Sequence, residues 1–135
     1  MAALNGKWKL TNVDNFAAYL DAIGVSGEDK AKGLHGLSAD KDIFQEITID
    51  GNSITINTIT PIGSAETKAT VGQEADQKSM DGRDLKVTYT IDGDKLVESQ
   101  SGAYTSNNVR SVSGSEMTME MTSGGVTTTR KYNKQ

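Results

Sequence analysis

From residue 51 onward glycine returns every nine to twelve residues, at positions 51, 63, 72, 82, 93, 102, 114 and 124. Most follow Asp or Ser, as in Asp50-Gly51, Asp81-Gly82, Asp92-Gly93, Ser101-Gly102, Ser113-Gly114 and Ser123-Gly124. A tight hairpin needs a positive φ in its turn, which glycine adopts without steric cost, so each glycine predicts a turn and each gap one strand. Alternation agrees: Ile54 and Ile56, then Leu85, Val87, Tyr89 and Ile91, then Met117, Met119 and Met121 recur with period two against polar neighbours. The sequence predicts nine strands at about 42–50, 53–60, 64–71, 73–79, 84–91, 94–100, 104–112, 115–122 and 125–133, with one more ahead of them at 7–11.

Between the first strand and the meander, Val13, Phe16, Ala17, Leu20 and Ile23 fall at helical spacing. Ser26 followed by Glu28 and Asp29 then reads as the capped start of a second short helix carrying Ala31, Leu34 and His35. Ten antiparallel strands in hairpin order, interrupted once by a helical pair at about 14–36, close most economically into an up-and-down barrel, because closure removes the exposed edges of an open sheet. Such a barrel is wide enough inside for a ligand. At 135 residues the chain is read as one domain over 1–135.

Composition narrows the function. Only 35% of residues are hydrophobic and 5% aromatic, which leaves room for polar groups inside. The absence of cysteine removes disulfides, thiolate metal sites and thiol nucleophiles, and a single histidine disfavours triads and His-rich metal centres. No metal or other cofactor is expected. A net charge of -4 with interspersed charges argues against nucleic acid, whose phosphates need clustered Lys and Arg. The first residues have no basic segment leading into an apolar one, so a secretory signal is not expected and the chain is read as cytoplasmic.

The last two hairpins allow an estimate of register. With Ser113-Gly114 and Ser123-Gly124 as two-residue turns, residue 110 pairs with 117 and 117 with 130, which puts Arg110, Met117 and Arg130 in one row. Parity places Met117, Met119 and Met121 on the inner face with Val126, Thr128, Arg130 and Tyr132. The two arginine backbones are then about 9.6 Å apart, two strand spacings. Two guanidiniums and a phenol directed inward are costly unless an anion or ordered water meets them, and a carboxylate suits Arg through a bidentate pair of hydrogen bonds. Arg83, the remaining arginine, is expected to line the same cavity. Glu98 shares the inward parity of Leu96 and Gln100 and is placed to compensate Arg110 in the empty barrel. The blander reading of Arg130 and Tyr132 is an internal polar network that simply fills the barrel. The methionine stripe serves either as pocket wall or as plain core packing.

Gly6-Lys7-Trp8-Lys9-Leu10, Asn15-Phe16, Tyr19-Leu20, Val71-Gly72-Gln73-Glu74, Ile91-Asp92-Gly93-Asp94-Lys95-Leu96-Val97 and the ending Gly125-Val126-Thr127-Thr128-Thr129-Arg130-Lys131-Tyr132 resemble the intracellular lipid-binding proteins, specifically the fatty-acid-binding proteins. The resemblance covers nearly the whole chain, and the ending Arg-x-Tyr is its most specific piece. It implies a ten-stranded antiparallel β-clam, lipocalin-like, with a helix-turn-helix lid. It further implies a carrier, not an enzyme, that reversibly binds a long-chain fatty acid or a similar hydrophobic carboxylate through Arg110, Arg130 and Tyr132. Met117, Met119, Arg83, Glu98, Gln100, Ile62 and Phe16 complete the expected ligand-facing set. Departures from the family pattern fall at Ile62, where a portal phenylalanine is common, at Ala69 and Ala75, where aromatics are common, and at Gly102, in place of a tryptophan; they imply a wider pocket. The alternatives are the same barrel holding a retinoid, bile acid or bilin, and a luciferase-like enzyme, which the lack of a histidine on any pocket strand disfavours. A monomer is expected, with transient membrane contact through the lid.

Overall fold

A computed structural model describes residues 2–36, 42–61, 63–78 and 82–135. Ten strands form one sheet: β1 (Gly6–Asp14), β2 (Phe44–Asp50), β3 (Ser53–Thr60), β4 (Gly63–Thr70), β5 (Ala75–Lys78), β6 (Asp84–Asp92), β7 (Lys95–Gly102), β8 (Ser106–Ser113), β9 (Glu116–Ser123) and β10 (Val126–Lys134). All paired neighbours are antiparallel, and the order β4-β3-β2-β1-β10-β9-β8-β7-β6-β5 wraps the sheet into a nearly closed barrel. Helices α1 (Phe16–Ala22) and α2 (Gly27–Gly36) interrupt the meander between β1 and β2. The expected architecture is therefore present, including the helical pair.

Closure differs from expectation in one place. No ladder joins β4 to β5 among the described residues, so two edges remain. The connection between them is tied elsewhere: the Val71 amide donates to the Asn52 carbonyl and the Gly72 amide to the Tyr89 carbonyl. These bonds draw the connecting backbone toward the β2–β3 turn and toward β6, and β5 keeps only four residues.

Register differs too. Arg110 pairs with Met119 and Met119 with Arg130, two residues away from the expected alignment on Met117. In these hairpins the serine before the glycine ends the strand and the glycine opens the turn, so Gly114-Ser115 and Gly124-Gly125 are the turn pairs. Gly124 and Gly125 have φ of 56° and 78°, the left-handed conformation that an L side chain resists. A shift of two residues preserves the face, so the inward assignment of Arg110 and Arg130 is unaffected.

β1 runs three residues beyond the expected strand because a bulge between Leu10 and Asn12 re-aims the chain and lets Val13 pair with Arg130. Asn15 then takes a left-handed backbone (φ 60°), its side-chain amide donating to the Thr127 carbonyl, and the helix starts at Phe16. Trp8 is fully buried and its indole N–H donates to the Leu4 carbonyl at 3.0 Å, plugging one end of the barrel. The lid forms its own cluster of Phe16, Tyr19, Leu20, Ile23 and Val25, against which Val126 packs, and it is joined to the barrel core through Val13, Tyr104 and Met121. Among the described residues no helix is long and apolar enough to cross a membrane.

Candidate functional site

The interior site grows from alternation on four strands. β7 turns Leu96, Glu98 and Gln100 inward, β8 turns Ser106, Asn108 and Arg110, and β10 turns Thr128, Arg130 and Tyr132, all of them buried. Met119 lies between the two arginines in the row, and Met117 pairs with Val112 on one side and Tyr132 on the other. Both methionines are buried in the main core. Arg130 Nε lies 3.3 Å from the Tyr132 hydroxyl, and its guanidinium carbon sits 5.2 Å from the centre of the Phe16 ring. Phe16 thus ties the lid to the arginine row by a cation–π contact.

Arg110 is held differently. Its Nη1 donates to Glu98 Oε1 at 3.0 Å and its Nε to Gln45 Oε1 at 3.4 Å, with both charged side chains buried. Glu98 Oε2 accepts hydrogen bonds from Gln100 Nε2 and from Asn108 Nδ2. Ser106 Oγ donates to Asn108 Oδ1 at 2.8 Å and lies 2.6 Å from the Tyr19 hydroxyl of α1. Because the serine proton is spent on Asn108, the Tyr19 hydroxyl is the donor to Ser106. The result is a directed chain, Tyr19 to Ser106 to Asn108 to Glu98, that ends on a carboxylate also held by Arg110. An isolated buried charge is costly, and this arrangement gives each carboxylate oxygen a donor.

Ionisation follows from the same contacts. Burial alone pulls the Arg110 guanidinium down, but the Glu98 carboxylate, the neighbouring Tyr89 and Tyr132 and the Glu98 hydrogen bond outweigh it, and its pKa is raised. Tyr89 is raised by burial first and by Glu98 next, against an opposing pull from Arg110. Burial also raises Tyr19, which the Ser106 hydrogen bond partly offsets.

Of the residues singled out in the sequence, the structure brings Arg130, Tyr132 and Phe16 together, and joins Arg110 and Gln100 through the Glu98 carboxylate that both of them bond. Arg83 reaches the end of α1: its Nη1 donates to the Ile23 carbonyl at 2.8 Å and its guanidinium lies over the Tyr104 ring. Ile62 lies outside the described residues. Gly102 has φ of 115°, and a Cβ there would meet the Asp84 carbonyl oxygen at 2.9 Å, so the backbone of β6 occupies the space a side chain would need. The structure adds Gln45, Tyr89, Asn108, Ser106 and Tyr19 to the expected set. The signal was present for the strand residues: Gln45 interrupts the inward series of Ile43, Ile47 and Ile49, and Asn108 and Ser106 lie two and four residues before Arg110. Tyr19 sits at core spacing on a helix, and nothing local marks its hydroxyl.

The chain matches the lipocalin / cytosolic fatty-acid binding protein family over residues 1–135. It is 34% identical over 136 residues to a fatty acid-binding protein of Tyrophagus putrescentiae, covering all of both chains. It is 36% identical over 133 residues to the sodium/calcium exchanger regulatory protein 1 of Doryteuthis pealeii, covering 98% of this chain and 97% of the other. Among solved structures, a Schistosoma mansoni fatty acid binding protein in complex with arachidonic acid superposes with a TM-score of 0.89 at 30% identity, covering 100% of this chain and 98% of that one.

Proposed function

We propose, from the premise that this chain belongs to the lipocalin / cytosolic fatty-acid binding protein family, that it is a reversible carrier of long-chain fatty acids that performs no chemistry on them. The observation that carries this reading is the pairing of Arg130 with Tyr132 on the inner face of β10, in the same row as Arg110. A fatty acid carboxylate accepts a charge-assisted hydrogen bond from Arg130 and a hydrogen bond from the Tyr132 hydroxyl, with Arg110 two strands away as the second cation. Met117 and Met119 supply the adaptable apolar wall beside it. The carrier acts in the cytoplasm as a monomer, and the lid makes transient contact with membranes that donate or receive the lipid.

Calorimetric titration with oleate and methyl oleate tests the carboxylate clamp. Arg130→Leu should weaken oleate binding by roughly 1.5–3 kcal/mol, the worth of a hydrogen bond to a charged group, and leave methyl oleate unchanged. Wild-type protein that binds acid and ester with equal affinity would falsify the clamp.

A further inference from the structure

Gln100 faces inward on β7 with only 8% of its surface exposed, paired across the sheet with Val87 and Ser106. Its amide nitrogen donates to Glu98 Oε2, while its carbonyl oxygen Oε1 is buried with no hydrogen-bond partner. Turning the amide over does not cure this, because it would set the oxygen against the Glu98 carboxylate. The neighbouring hydroxyls are already committed, and the Asn108 amide has directed one of its two protons elsewhere. The single proton of Ser106 goes to Asn108, that of Tyr19 goes to Ser106, Asn108 Nδ2 goes to Glu98, and Tyr89 hydrogen-bonds Glu98. A buried acceptor left this way has given up water without return. A hydrocarbon chain passing it restores nothing, whereas a hydroxyl group does.

Gln100 is four residues, about 13 Å, along β7 from Leu96. Leu96 pairs with Arg110 and so belongs to the row that carries both arginines. A ligand anchored by its carboxylate at Arg130 therefore reaches Gln100 with the middle of its chain, not with its head. We infer that Gln100 Oε1 is an acceptor subsite for a hydroxyl group on the ligand chain, so that the barrel favours long-chain monocarboxylates hydroxylated remote from the carboxyl group. This inference rests on the carboxylate reading above and adds a second point of recognition to it.

Calorimetry with stearate, 12-hydroxystearate and 12-methoxystearate decides it. The methoxy group keeps the oxygen but removes the donor. In the unaltered protein 12-hydroxystearate should bind at least about threefold more tightly than 12-methoxystearate, as one neutral hydrogen bond implies. Gln100→Met, close in shape and without the carbonyl, should shift the ratio of hydroxystearate to stearate affinity toward stearate by about three- to tenfold. Equal binding of the hydroxy and methoxy acids by the unaltered protein overturns the subsite, even if the variant does not fold. A ratio unmoved by Gln100→Met also overturns it and leaves a water molecule on Oε1 as the remaining account. Failure of all three acids to bind overturns the carboxylate reading itself, which separates the two outcomes.

Discussion

β4 and β8 are both eight-residue strands of polar sequence, yet they are treated oppositely by the fold. β8 presents Ser106, Asn108 and Arg110 to the interior, and each is at most 3% exposed. β4 presents Ala65, Thr67 and Ala69, opposite Thr58, Ile56 and Ile54 of β3, and none of the three is buried. Hydrophobicity would rank them the other way. The β8 side chains reach one another and Glu98, so hydrogen bonds replace water as they are covered, while on β4 Ala69 packs only on the margin of the main core and stays partly exposed. The barrel is therefore filled by polar pairing on the β7–β8 side and left thin on the β4–β5 side, where its ladder also stops.

The same substitution placed on each side should separate them most widely. Glu98→Leu leaves Arg110 buried without its carboxylate and should cost about 3–5 kcal/mol, whereas Glu66→Leu on exposed β4, beside Lys68, should stay within about 0.5 kcal/mol. Urea unfolding of the two variants reads this directly, and comparable losses would remove the contrast. Leucine at both positions 98 and 110 should recover most of the first loss, since the orphaned charge is gone.

Glycine-to-alanine changes probe the backbone on the same two sides. At Gly102 the new Cβ meets the Asp84 carbonyl oxygen at 2.9 Å as well as an unfavourable φ, and about 2–3 kcal/mol of stability should be lost. At Gly63, φ is 146° and no atom lies within 4 Å, so only the backbone strain remains and the loss should be about 1 kcal/mol. Equal losses would mean that the β6–β7 side yields as easily as β4.

A smaller effect is expected in alkali. Tyr19 and Tyr89 have raised pKa values in the folded protein, for which burial is the main cause, while in the unfolded chain they ionise near pH 10. Below pH 10 both states hold these protons and the contribution is fully present. Above it the unfolded chain releases them first, so stability falls as pH rises toward the folded values. Tyr89→Phe should remove about 1 kcal/mol of the fall between pH 10 and 11, measured as the difference in urea unfolding free energy. A fall of the same size in the variant would show that Tyr89 ionises freely in the fold.

Most of the fold was legible because glycine spacing and period-two alternation are local, repeated signals, and each of the ten strands carries at least one of them. Register was misread by two residues because a Ser-Gly pair does not say which of its members ends the strand, and only the positive φ at Gly124 and Gly125 decides it. The arginines survived that error, since their face depends on parity alone. Glu98 was legible for the same reason, and its contact with Arg110 follows from β7 and β8 being hairpin neighbours. What parity cannot carry is reach. Gln45 lies 65 residues from Arg110 in sequence, and Arg83 lies 60 from the Ile23 carbonyl it bonds, contacts fixed only when the sheet has rolled up.

The Arg110–Glu98 ion pair also sets the electrical state of the cavity. Two guanidiniums and one carboxylate on β7, β8 and β10 leave a formal surplus of one positive charge among these three groups. For a carrier of the kind proposed, a single monocarboxylate brings that sum to zero, and a second anion or a dicarboxylate carries it past neutrality inside the barrel, where charges interact more strongly than in bulk water. In a carrier of that kind the Glu98 carboxylate would count ligands as well as partner Arg110, because it leaves charge for one acyl carboxylate only.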